Sequence, residues 1–158
     1  MTGTRSQANS LPIPEPAFAA FQSTLKGTIV LPSSPSYDSA IFRWAINTSR
    51  KASLVVYPKE PGDISLTLAF ARTQNLAIAV KGGGHNISGA SSIDGGLVID
   101  LSKYMNEVRV DKDEKLAYVG GGSIWKTVDN EAIKYGLAAV GGTVNSVCII
   151  HDIHPFYY

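Results

Sequence analysis

Apolar positions recur at two spacings along this chain, and the switches between them mark out its elements. In "EPAFAAFQSTLKG" (15–27), Phe18, Phe21 and Leu25 fall at helical spacing, and Gly27 suits a C-terminal cap. "TIVLPSSPS" (28–36) breaks that pattern, and "YDSAIFRWAIN" (37–47) predicts a second short helix. "ASLVVYP" (52–58) is a continuous β-branched run stopped by proline, the mark of a buried strand. "PGDISLTLAFARTQN" (61–75) predicts a helix with Asp63 capping its free amides and Ile64, Leu68 and Ala71 on one face. "LAIAVK" (76–81) predicts the next strand, so residues 52–81 have the size of one parallel crossover unit.

"GLVIDLS" (96–102) predicts a further strand. In "EVRVDKDEKLAYVGGG", Val108 and Val110 alternate, Asp111 to Lys115 turns and Leu116 to Val119 returns, which predicts a hairpin. "SIWKTVDNEAIKYG" (123–136) predicts a helix with Ser123 as N-cap, Gly136 as its stop, and Ile124, Val128 and Ile133 as the buried stripe. "LAAVGGTVNSV" (137–147) predicts a short strand and a glycine turn. The class is α+β.

Composition narrows the function. A chain of 158 residues, 44% hydrophobic and 17% charged, is one globular domain rather than a disordered segment. Its net charge of +1 gives no electrostatic case for nucleic acid or an anionic membrane. The single cysteine, Cys148, excludes an internal disulfide framework. Residues 1–14 are polar and proline-containing, a loose arm with no apolar core of signal-peptide length. No run approaches the roughly 20 apolar residues of a membrane span, so the sequence predicts a soluble, cytoplasmic protein.

The chemistry concentrates in "VKGGGHNISGAS" (80–91). Consecutive glycines let backbone approach a ligand closely, and their amides make a concave anion site. The run leaves the C-terminal end of a predicted strand, where ligands dock in open α/β sheets. The standard phosphate signatures fail. G-x-x-x-x-G-K-[ST] from Gly84 needs lysine at 90, which is Ala90, and G-x-G-x-x-G from Gly82 needs glycine at 87, which is Ile87. Taken alone, His85 reads as a turn residue or a hydrogen-bonded surface group rather than a catalytic one. No carboxylate or thiol stands at metal-ligand spacing from it, and the short H-D-x-H run at His151, Asp152 and His154 has no further ligand, so no metal is expected. Two more glycine turns, "GGG" (120–122) and "VGGT" (140–143), suggest backbone wrapped about an extended ligand.

The order of these motifs, proline and valine, then K-G-G-G-H-N-x-x-G, then "DL", then "GGG" before Trp125, then "GGTVNSV", resembles FAD-linked oxidases of the PCMH or vanillyl-alcohol-oxidase type. It is similar to their berberine-bridge-like and 6-hydroxynicotine oxidase branch, over about 37–147. The resemblance implies a PCMH-type FAD-binding domain, its N-terminal subdomain with part of the second. It implies FAD as cofactor, an oxidase reaction with oxygen as electron acceptor, and a small-molecule substrate. Carried over residue by residue, it makes Lys81, Gly82, Gly83, Gly84, His85, Asn86, Gly89, Gly142, Thr143 and Val147 cofactor contacts, with His85 as a covalent anchor for the flavin. The slot of a second, cysteinyl link in some members falls on Val144, so no such link is expected. Cys148 stands where the family has glycine and reads as a small buried or tail thiol.

Three segments are expected: an arm and short helix (1–36), a partial FAD-binding domain (37–147) and an atypical tail (148–158). "CIIHDIHPFYY" shows no resemblance, which predicts a truncated chain with an uncovered apolar face. The readings are then the FAD-binding portion of an oxidoreductase, an inactive flavin-binding fragment and, outside the family, a nucleotide-phosphate module. No catalytic residue is assigned.

Overall fold

The computed structural model describes residues 13–149. The expectations for the arm before residue 13, and for His151, Asp152 and His154, lie outside the described residues. The elements in chain order are α1 (Glu15–Thr24), β1 (Thr28–Val30), α2 (Tyr37–Ile41), β2 (Leu54–Tyr57), α3 (Pro61–Thr73), β3 (Ile78–Lys81), β4 (Leu97–Asp100), β5 (Val108–Asp111), β6 (Leu116–Val119) and α4 (Trp125–Ala132). Short 3₁₀ turns lie at Ile46–Thr48 and Ile133–Tyr135. This is the expected α+β class.

Four strands form one sheet in the order β1-β2-β4-β3, with β1 antiparallel and the other three parallel. The buried valines and leucines of β2 and β4 cover both faces of the sheet, as parallel central strands require. On one face Leu54, Val56, Leu97 and Ile99 pack against Phe18 and Phe21 of α1 and Phe70 and Ala71 of α3. The Phe21 and Phe70 rings stack there with centroids 4.1 Å apart. On the other face Val30, Val55, Ala79 and Val98 pack against Tyr37, Ala40 and Ala52. Residues 13–30 therefore share the core of the later strands. β5 and β6 form a separate antiparallel hairpin, beside α4.

Several elements depart from the pattern. β2 and β3 are parallel but not neighbours, because β4 inserts between them. The 28–36 segment, read as a break, contains edge strand β1, which gains its bonds from β2. The second helix stops at Ile41, since the next residues are extended at Phe42 and carry Arg43 inward. Leu68 and Ile133 are exposed, and Thr67 and Ala132 take the buried positions. No strand forms in 137–147. Ser123 does not cap α4: Ile124 is the N-cap, and the buried Ser123 Oγ has no hydrogen-bond partner. Gly136 does end that helix region, in a left-handed conformation with φ 68°.

Asp63 does not cap α3 either. It is buried, and its carboxylate accepts the backbone N–H of Lys26 at 3.0 Å and of Lys59 at 2.8 Å. It thereby ties the turn before β1 to the turn after β2. Apolar surface does remain uncovered around the hairpin and α4. Leu116, Tyr118 and Ile133 are exposed, and Val110, Leu116, Trp125 and Val128 line a groove of about 380 Å³.

The C-terminal ends of the three parallel strands carry polar residues in register. Asp100 of β4 stands opposite Lys81 of β3 and follows Ile99, the partner of Val56, so Tyr57 flanks it on the other side. Arg43 is buried near this row, close enough for its charge to act on Tyr57 and for that of Asp100 to act on it. Burial, and then the Asp100 charge, push the Tyr57 phenol up to about 12.

Two outcomes follow for stability. Asp63→Ala leaves two partly buried amides unpaired and should cost about 1–3 kcal/mol in urea unfolding, whereas a merely exposed carboxylate would cost nearly nothing. For Tyr57 the folded state keeps its proton above the unfolded value of 10.0, so its contribution is full below that pH and is lost as pH rises toward about 12. Absorbance at the phenolate band should show one of the seven tyrosines ionising last, and Tyr57→Phe should remove that step. A Tyr57→Phe curve identical to the parent's would contradict the assignment.

Candidate cofactor site

The site is built by one connection. β3 and β4 are parallel, so the chain must return from the C-terminal end of one to the N-terminal end of the other. Such returns usually contain a helix, but residues 82–96 contain none. The connection runs instead as loop from the C-terminal end of β3 to the N-terminal end of the sheet, where Gly95 and Gly96 bond to Lys51 and Ser53, and the glycine–histidine run occupies its first turn.

Each of the three glycines meets a different constraint. A Cβ at Gly82 would stand 3.2 Å from Cys148 Cβ and 3.3 Å from the Gly121 carbonyl oxygen. One at Gly83 would stand 2.8 Å from His85 Nδ1, so a side chain there would displace the imidazole. Gly84 has φ 74°, a left-handed conformation that disfavours any side chain. Gly89 also has positive φ, 83°, and closes the loop against Arg50 and Thr48.

Side chains then pin the loop. Asn86 Oδ1 accepts the backbone N–H of Ser88 and of Ala90, each at 3.0 Å, and folds 86–90 into a tight turn. The Gly84 carbonyl accepts the Trp44 N–H at 3.2 Å. Lys81 runs underneath, its Cε 3.1 Å from where a Gly84 Cβ would stand. Its ammonium donates to Asp100 Oδ2 at 2.8 Å and to Ser102 Oγ at 3.3 Å. Asp100 is 1% exposed and also accepts the Ser102 N–H and hydroxyl. The Lys81 charge is therefore matched inside the protein.

Gly82, Gly84, His85 and Asn86 line one cavity of about 270 Å³ together with Val80, Ala90, Ser91 and Cys148. That is below the roughly 300–1,000 Å³ of most small-molecule sites, so it fits one portion of a dinucleotide. His85 Nδ1 and Ser91 Oγ are buried there without a hydrogen-bond partner. Trp44 stands beside the imidazole, ring centroids 6.4 Å apart. A glycine cradle with orphaned polar atoms suits an anionic ligand whose attached ring system meets the histidine.

The remaining predicted contacts lie elsewhere. Gly142 and Thr143 are outside this lining, with Thr143 exposed. The Val147 carbonyl accepts the Trp125 N–H at 3.1 Å, which docks 145–147 on the start of α4 and delivers Cys148 to the cavity. Cys148 is buried, as expected of a small thiol, and it touches the glycine loop. In the other glycine turns, three glycines are required by packing. A Cβ at Gly120 or Gly122 would overlap the Met105 or Leu101 carbonyl, and one at Gly141 would overlap the Trp125 ring. Asp100, Arg43 and Ser91 were not singled out by sequence. The "DL" at the end of a strand was the available signal for Asp100.

Among the described residues no helix is long and apolar enough to cross a membrane. The chain is similar to (R)-6-hydroxynicotine oxidase of Paenarthrobacter nicotinovorans, 34% identical over 119 residues, covering 75% of this chain and 26% of that protein. It is also similar to an FAD-linked oxidoreductase of Aspergillus terreus, 39% identical over 128 residues, covering 78% and 26% respectively. The structure of 6-hydroxy-D-nicotine oxidase from Arthrobacter nicotinovorans superposes with a TM-score of 0.77 at 33% identity, over 79% of this chain and 27% of that one. Glucooligosaccharide oxidase from Acremonium strictum, at 22% identity and a TM-score of 0.76 over 84% of this chain and 28% of that one, shares the fold. The chain thus spans about a quarter of the length of the relatives it matches. Residues 52–150 match the FAD binding domain family, a span that takes in the strand row, the glycine–histidine loop and its cavity, and the chain belongs to that family.

Proposed function

We propose that residues 82–89 hold FAD, with the amides of Gly82, Gly83, Gly84 and Asn86 turned to its diphosphate and His85 as its covalent anchor. One observation carries this reading: His85 Nδ1 is buried and unpartnered in a cavity that Gly82 and Gly84 of the glycine run also line. An unpaired buried ring nitrogen costs free energy and is retained where it has a chemical role. Glucooligosaccharide oxidase is described as holding an 8α-N1-histidyl FAD, which gives the chemistry a precedent on this fold.

The bound flavin supplies a two-electron acceptor. This chain's part is to bind and orient it: the cradle fixes the diphosphate, His85 fixes the ring edge, and the Asn86 turn holds both in register. We place the cofactor-binding portion at 37–147, with Gly142, Thr143 and Val147 as its further contacts and Lys81 as the support beneath the loop. For the whole protein we propose an oxidase that takes electrons from a small organic substrate and passes them to oxygen.

Expression with ample riboflavin should give yellow protein whose colour survives acid precipitation. His85→Ala should lose the acid-stable flavin and keep dissociable FAD. Acid-stable flavin persisting in His85→Ala would remove the anchor assignment, and parent protein that never binds FAD would remove the site.

A further inference from the structure

Arg43 is the largest fully buried side chain, 1% exposed, and among the described residues it has no salt-bridge partner. Its guanidinium donates only to carbonyls. Nε and Nη2 reach the Ser91 oxygen at 3.1 and 2.6 Å, and Nη1 reaches those of Phe42 at 2.7 Å and Ala40 at 3.3 Å. Asp100, the acid whose charge acts on Arg43, is already held by Lys81. Lys81, Asp100 and Arg43 together leave a net charge of one positive unit beneath the loop, and burying such a charge without a counter-ion is costly. Burial indeed pushes the Arg43 guanidinium down, with Asp100 partly opposing it.

The charge stands directly behind the cradle. Arg43 Cδ lies 3.4 Å from where a Gly84 Cβ would be, and the next residue holds the Gly84 carbonyl. The carbonyl that Arg43 grips belongs to Ser91, which lines the cavity. We propose that Arg43 is the positioning residue that supplies the fixed positive charge for the glycine–histidine loop, and that the loop therefore selects diphosphate-bearing ligands over their uncharged counterparts. This rests on the FAD-binding reading above. Lys81, the obvious cation of the motif, is not the source of the selectivity, because its charge is spent on Asp100.

The test is titration of the full 158-residue chain with FAD, ADP and adenosine, at fixed ionic strength, for the parent, Arg43→Gln and Arg43→Lys. The parent should prefer ADP to adenosine. Arg43→Gln should shrink that preference by about tenfold through weaker ADP binding, with adenosine binding unchanged. Equal loss for both ligands, or an unchanged preference, overturns the proposal. If Arg43→Gln does not fold, Arg43→Lys decides. Its ADP preference should fall between about pH 7 and 10.5 as a buried lysine gives up its proton, relative to the parent over the same range. A preference that tracks the parent's overturns the proposal. A parent chain that binds neither FAD nor ADP overturns the cofactor reading and this inference with it.

Discussion

The pairing of Lys81 with Asp100 fixes the geometry on which the site depends. It joins β3 to β4 at the ends of two parallel strands, at 2.8 Å and almost out of water. A buried ion pair is a weak source of net stability but a strong penalty on alternatives. A one-residue slip would turn Lys81 to the other face and leave Asp100 buried alone. With that register set, the chain has to return from the C-terminal end of β3 to the N-terminal end of β4 within residues 82–96, and it does so as loop rather than as a helix.

The cradle follows from that return. Backbone that doubles back in so little space leaves no room for side chains at the points of closest approach. Gly82 and Gly83 yield to Cys148 and His85, and Gly84 adopts the left-handed turn. The histidine is thus part of the packing of the loop as well as the anchor we propose for the cofactor. The same crowding makes Cys148 a neighbour of the site, although it lies beyond the last glycine motif in sequence.

Much of the fold is legible in the sequence because it rests on local patterns. β2 and β4 are continuous apolar runs, α3 has helical spacing, and the hairpin alternates around a polar turn. What escaped depends on partners distant in sequence. β1 has three residues and exists through its pairing with β2. Asp63 and Ser123 look like caps, yet tertiary contacts claim one and bury the other. Leu68 points to solvent because Thr67, Phe70 and Ala71 already meet the sheet. In the site, the glycine–histidine run was readable, but the three glycine turns look alike as sequence. Only the structure shows that Gly120, Gly122 and Gly141 are each needed for close packing. Arg43 sits in "AIFRWA", a context that gives no hint of a buried charge.

The central claim is that amides of the 82–89 loop hold the diphosphate of the dinucleotide. Amide shift mapping of the isotope-labelled chain during FAD addition tests it most directly. The account predicts that the largest changes fall on Gly82, Gly83, Gly84, His85, Asn86 and Gly89, with Trp44 and Ser91 next. Changes confined to the groove between the hairpin and α4, with this loop unmoved, would contradict it.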